Sequence, residues 1–176
     1  MRRFSAFGVV APLFCCALAL LILAGFGLSS LSSARAQDAQ NANEAAPLEK
    51  LTLVTDAKGA HPVDHVLQVE VMRDDAGRER GLMFRRYMPA DRGMLFDFGA
   101  EHGVLMWMKN TYIPLDMIFF SRAGVVTHIA ENAEPLSEAI ISSEGPVYGV
   151  LEVNAGYARK IGLKNGDIVR HPMFAH

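Results

Sequence analysis

The chain has 176 residues, with 17 Lys and Arg against 19 Asp and Glu and an apolar share of 51%. Its first 36 residues hold 24 apolar residues, three of the arginines, both cysteines and no acid, which leaves 140 residues with 14 basic and 19 acidic groups. That remainder has the size of one domain, and its acidic, cysteine-free makeup excludes a disulfide-stapled mini-protein, a polytopic membrane protein and a strongly basic nucleic-acid binder.

Met1-Arg2-Arg3 is a basic start, an apolar run follows from about Val9 to Leu28, and Ala34-Arg35-Ala36 supplies a small-residue cleavage site before Gln37. This order reads as a secretory signal peptide over residues 1–36, which places the product in the periplasm or outside the cell. The competing reading is an inner-membrane anchor, because an apolar run of about 20 residues is long enough to span a bilayer. Cleavage would remove Cys15 and Cys16, so thiolate chemistry would be absent from the mature protein. Residues 37–50, rich in Gln, Asn and Ala, read as a flexible linker. A single domain is expected over 51–176.

From Leu51 the dominant hydrophobic period is two. Leu51 to Val54 forms one strand candidate, and Leu67, Val69 and Val71 alternate with polar residues in the next. Asp74 or Asp75 can cap a short helix running to Arg80, with Gly81 as its stop. Met94, Phe96 and Phe98 mark another strand, Gly99 to Gly103 a turn, and Val104 to Lys109 a further strand. Pro114 makes residues 110–116 irregular. Met117 to Phe120 and Val125 to Ile129 flank a four-residue hairpin loop, and Glu131 to Pro146 reads as a long polar loop. Val147 to Val153 is a strand, Asn154 can cap a helix from Ala155 to Ile161, and Asn165-Gly166 turns into a last strand from Ile168 to Arg170. Many short strands with one or two short helices imply a mostly β domain, an antiparallel sandwich or a barrel.

Several phrases in this order carry a resemblance. They are Glu79-Arg80-Gly81-Leu82-Met83-Phe84-Arg85, Gly93-Met94-Leu95-Phe96, Trp107-Met108-Lys109-Asn110-Thr111 leading to Ile113-Pro114-Leu115-Asp116, Val150 to Gly156, and Gly166-Asp167. In these the chain resembles the DUF192 family, also called UPF0127, from about Val63 to Arg170. The resemblance implies a compact, mostly β domain that is often exported in bacteria, and it carries over no activity and no catalytic residues. Met106 departs from the pattern, since the family more often has an aromatic residue before the Trp.

The segment from Trp107 to Asp116 holds the densest set of chemistry-bearing side chains. Lys109, Asn110, Thr111 and Asp116 lie on or beside an irregular loop next to Trp107, a usual way to present polar groups from a rigid scaffold. Glu152 stands on a strand face otherwise carrying Val150 and Tyr148, so it needs a partner or a place at a rim. Arg80, Arg85 and Lys109 are the cations available to it. Arg78, Arg80, Arg85 and Arg86 could form an anion-binding patch or a solvated face balanced by Asp74, Asp75 and Glu79. The reading favoured is a binding module for a small molecule or a cell-envelope component, with Arg85, Trp107, Lys109, Asn110, Thr111, Asp116 and Glu152 as site residues. A hydrolase with Asp116 or Glu152 as acid or base is one alternative. Cu(I) binding by Met106, Met108 and His102 is another, because thioether and imidazole are soft ligands. Zinc-type His spacing, a P-loop, a dinucleotide fingerprint and Gly-x-Ser-x-Gly do not occur, so the sequence implies no cofactor and leaves open whether the protein is an enzyme. No nucleic-acid partner is expected, and no membrane contact beyond the N-terminal segment.

Overall fold

The computed structural model describes residues 47–174. The proposed signal peptide and most of the linker lie outside the described residues. The strands are β1 (Leu48–Thr55), β2 (Val63–Met72), β3 (Arg92–Met106), β4 (Leu115–Phe120), β5 (Val126–Ala133), β6 (Ile141–Asn154) and β7 (Ile168–Arg170). Two short helices, α1 (Asp75–Arg80) and α2 (Tyr157–Ile161), and a 3-10 turn at Pro172–Phe174 complete the chain. The first strand begins at Leu48, so the linker ends three residues earlier than the composition implies.

All seven strands belong to one sheet in the order β5-β4-β6-β3-β2-β1-β7. The sheet curls until its edges meet. Val125 bridges Ile168, the Val126 amide donates to the Asp167 carbonyl at 2.8 Å, and the Val169 amide donates to the Gly124 carbonyl at 2.7 Å. The fold is thus barrel-like rather than a two-sheet sandwich, and the closure removes exposed edges at that end. Pairing is antiparallel except between β2 and β3, which run parallel. The segment from Arg73 to Asp91, which contains α1, makes that crossover.

Period-two alternation sends one set of side chains into the barrel. Leu51, Leu53, Leu67, Val69, Leu95, Ile118, Phe120, Leu151 and Val153 pack together there. The opposite set on β3, β4 and β6, including Met94, Phe96, Met117, Phe119 and Val150, forms a second core on the outer face beneath Leu82, Met88, Met108 and Ile113. Strand β4 is therefore buried at all six positions, which explains its nearly continuous apolar sequence. Each large side chain so buried contributes roughly 1.5–3 kcal/mol. The two carboxylates buried in this central region, Asp116 and Glu152, lie on opposite faces.

Two strands are longer than their hydrophobic pattern implies. Gly99 to Gly103 does not reverse the chain. It lies inside the 15-residue β3, where register shifts between Asp97 and His102 and between Gly103 and Leu105 accommodate the extra residues. Gly99, at φ 70, takes up part of this irregularity. The expected long loop from Glu131 to Pro146 also shortens, because β5 runs to Ala133 and β6 begins at Ile141. Gly149 lets β6 approach closely, since a Cβ there would lie 2.5 Å from the Phe120 ring.

The α1 cap is as the sequence implies. Asp74 accepts from the Gly77 amide at 2.8 Å, and Gly81 ends the helix at φ 45. Helix α2 differs. Its flank residue Gly156 offers no side-chain cap, and Asn154 instead donates to the Met88 carbonyl at 3.0 Å. The cap comes from β4: Asp116 accepts from Gly156 N–H at 3.0 Å and Ala158 N–H at 2.9 Å.

Candidate functional site

The outer core opens to a cleft at Glu152. This residue lies in β6 opposite Met94 of β3 and Met117 of β4, so its carboxyl rises from a row of thioethers. It is 4% exposed. Among the described residues no side chain or backbone group hydrogen-bonds or ion-pairs with it, and burial pushes its pKa up to about 8. Desolvation is the sole cause, which means no neighbouring charge offsets the loss of water.

A cleft of about 250 Å³ leads to this carboxyl, lined by Leu82, Met83, Phe96, Trp107 and Thr111, with α1 at its mouth. The local sequence explains each wall. Helix α1 stops at Gly81, where the left-handed turn sets Leu82 into the outer core and Met83 at the cleft. After β3 ends, Met108 is 1% exposed and anchors the next loop in the core, so its neighbours Trp107 and Lys109 project outward. The Trp107 ring, 44% exposed, carries the Lys109 Nζ at 5.3 Å from its centroid. Thr111 is buried and donates its hydroxyl proton to the Lys109 carbonyl at 3.2 Å.

Two flanking loops brace this central one. Phe84, at φ 65, donates its N–H to the Asn110 carbonyl at 2.8 Å, and Leu136, at φ 63, donates to the Thr111 carbonyl at 3.0 Å. Both side chains are exposed. A bulky residue in left-handed backbone is unfavourable by about 1 kcal/mol or more, so the bracing holds the loop at a local cost.

A second cleft of about 390 Å³ shares Arg80, Met83 and Trp107 with the first and extends to Lys109 and Asn110. A larger depression of about 460 Å³ lies elsewhere, between the turn after β1 and the turn before β7. Its buried acid, Asp167, is occupied by local backbone, accepting from Lys164 N–H at 2.8 Å.

The expected site residues therefore separate. Trp107, Thr111 and Glu152 converge on one cleft, and Lys109 and Asn110 line its neighbour. Arg85 does not join them. It forks onto Glu70 of β2, with Nη2 at 2.7 Å from Oε2, an ion pair that fixes the crossover to the sheet. Asp116 is fully buried and accepts from the amides of Asn132, Gly156 and Ala158 at 2.9–3.0 Å. It pairs with Val153, one residue along from Glu152, so strand alternation puts the two carboxylates on opposite faces. Asp116 and Glu152, each a candidate acid or base, therefore cannot act on one site together. Of the proposed Cu(I) set, Met106 packs against the outer core that contains Met108. Met108 is enclosed in the outer core, while the His102 ring lies edge-on to Phe98 at 5.3 Å, with Nδ1 3.1 Å from the Ala100 carbonyl oxygen. No group of three or more His, Cys, Asp or Glu positioned to hold a metal ion occurs among the described residues.

The arginine cluster is largely used within the fold. Arg78 binds Asp75 and the carbonyls of Arg73 and Asp97, and Arg86 lies over the Tyr112 ring at 4.9 Å. Arg80 remains at the mouths of both clefts. The walls that sequence reasoning missed are Leu82, Met83 and Phe96. The signal for Leu82 and Met83 is the apolar run after Gly81 in the Glu79-to-Arg85 phrase, and that for Phe96 is the Gly93-to-Phe96 phrase.

The DUF192 family profile, described as "Uncharacterized ACR", matches residues 55–171, and the chain belongs to this family. No curated protein matches the chain. Among solved structures, a proposed transcription regulator from Sinorhizobium meliloti 1021 is 48% identical, with TM-score 0.69, covering 73% of this chain and 97% of that one. A protein of unknown function from Novosphingobium aromaticivorans DSM 12444 is 36% identical, with TM-score 0.65, covering 70% and 84% of the two chains.

Proposed function

We propose that this member of the DUF192 family is an exported, single-domain binding module that holds a small ligand or a fragment of a cell-envelope component in the cleft over Glu152. The observation that carries this reading is the Glu152 residue, 4% exposed, lining a formed cleft, with no hydrogen-bond partner for its carboxyl among the described residues. An unpaired buried carboxyl is unfavourable by several kcal/mol when ionised, and a ligand is the partner that the fold leaves out. Asp116 is taken up by α2 on the far face, which leaves Glu152 as the one remaining acid or base of the hydrolase alternative, without a second carboxylate beside it. The regulator description of the Sinorhizobium relative finds no support in charge: the part after residue 36 is acidic, and Arg78 and Arg85 are engaged by carboxylates.

Trp107 is the single tryptophan of the chain, so its fluorescence reports on the cleft directly. The test is a panel of small amines, amides, sugars and short peptides, scored by Trp107 emission and by thermal shift. Saturation at 100 times Kd stabilises by about 2.7 kcal/mol. The expected result is at least one compound whose effect disappears in both Glu152→Gln and Thr111→Val. Hits that persist unchanged in both variants would place the binding site elsewhere.

A further inference from the structure

We propose that the cleft recognises its ligand by an ammonium group, with Glu152 as the counter-ion and the apolar walls around a short alkyl stem. This inference rests on the cleft over Glu152 being the binding site, and it adds the chemical class of what enters.

Hydrogen-bonding valence selects the ligand class. Of the polar residues lining the cleft, Glu152 and Thr111 are the buried ones, while Arg78, Glu79 and Arg80 belong to α1. The Thr111 proton is committed to the Lys109 carbonyl, so towards the cleft that hydroxyl offers lone pairs only. An ionised Glu152 is likewise acceptor-only. A cleft furnished with acceptors selects a donor-rich ligand, and an ammonium brings three N–H donors and the opposite charge. A ligand carbonyl or carboxylate would face Thr111 lone pairs at the base, with donors only from a neutral Glu152 there and from Arg80 and the Trp107 indole farther out.

The surroundings agree. The strand neighbours of Glu152 are Met94 and Met117, neither of which titrates. From β3 and the loop after it, Phe96, Val104, Met106 and Trp107 face the cleft without charge. The charged groups at the mouth are Arg78, Glu79 and Arg80, and Arg78 is neutralised by Asp75. The two acids and two bases of α1 balance, and Lys109 on the Trp107 ring adds one positive charge that an entering cation meets outside the Glu152 base. The outer Trp107 face already holds the Lys109 ammonium at 5.3 Å, evidence that this indole is placed to stabilise cations. Size limits the stem. At roughly 30 Å³ per water, a cleft of about 250 Å³ holds the equivalent of eight waters, enough for a short alkylammonium or the amine end of a longer molecule.

Proton linkage separates this proposal from its rival by sign. In the empty cleft Glu152 carries its proton below about pH 8, so an ammonium must displace that proton to bind. Its apparent affinity rises about tenfold per pH unit between 6 and 8 and then levels off. A ligand that accepts a hydrogen bond from neutral Glu152 does the reverse, flat below pH 8 and weaker above.

The experiment is a Trp107 fluorescence titration at pH 6, 7, 8 and 9 with n-butylammonium and with butyramide, an uncharged compound of similar size. The expected outcome is that n-butylammonium binds about fiftyfold tighter at pH 8 than at pH 6. Binding is expected to weaken at least tenfold at pH 8 in Glu152→Gln and several-fold in Thr111→Val, both checked for folding by circular dichroism. If butyramide binds with the flat-then-falling profile and n-butylammonium does not bind, the ammonium proposal is overturned while the cleft remains the binding site. If neither compound perturbs Trp107 at 100 mM, both the ammonium class and the cleft assignment fall.

Discussion

Glu152→Gln should make this domain more stable, by an amount that depends on pH. In the wild type the folded pKa stands at about 8 against an ordinary value of 4.5. The folded state therefore holds a proton that the unfolded chain releases between those limits. Stability is fully present below about pH 4.5 and is lost as pH rises, by roughly 1.4 kcal/mol per unit, until the folded group ionises near pH 8. The loss amounts to roughly 3 kcal/mol at pH 7 and 4–5 kcal/mol at pH 9, large beside a domain stability of about 5–15 kcal/mol. Glutamine has nearly the same shape and no charge to bury, so the variant lacks this slope. Urea denaturation of both proteins at pH 5, 6, 7, 8 and 9 should give nearly equal stabilities at pH 5 and a gap that widens in favour of Glu152→Gln up to about pH 8. Parallel curves, or a variant less stable throughout, would refute the reasoning. Such a result would mean that Glu152 has a partner in solution or stays hydrated.

Asp116→Asn is expected to behave oppositely. It removes one carboxylate oxygen from a set accepting three buried or half-buried backbone N–H groups, at a loss of roughly 2–4 kcal/mol, seen as a fall in Tm of roughly 5–15 °C. An unchanged Tm would show that α2 does not depend on this cap. Arg85→Ala breaks a partly exposed ion pair with Glu70 and should lower stability by about 1 kcal/mol or less, leaving the Trp107 response to ligand intact; loss of that response would return Arg85 to the binding site. Leu136→Gly, at an exposed left-handed position, should stay within about 1 kcal/mol of wild type in chemical denaturation, because relief of backbone strain offsets the added chain entropy. A loss of 3 kcal/mol or more would mean that the Leu136 side chain packs within the domain.

Local chemistry made some of the fold legible and long-range pairing hid the rest. The alternation of Leu67, Val69 and Val71 marks β2, and Asp74 with Gly81 brackets α1, since both signals depend on neighbours in sequence. The glycines of 99–103 suggest a reversal because a turn and a bulge draw on the same conformational freedom. Only the partner strand β6 decides between them. The same holds for the site. Trp107, Thr111 and Glu152 stand out by type, but which carboxylate faces which side depends on the register of β4 against β6. Asp116 opposite Val153 rather than Glu152 is one residue of register, and that residue turns an apparent acid pair into a cap on one face and a cleft on the other.

Glu152 is a buried carboxyl that no described residue partners and that a cleft opens to a ligand. Carbon-13 NMR of protein labelled at the glutamate carboxyl carbons, with Glu152→Gln used to assign the resonance, measures this directly. The account predicts one glutamate titrating near pH 8 in the free protein and at lower pH when n-butylammonium is present. A Glu152 midpoint near 4.5, unchanged by n-butylammonium, would contradict it.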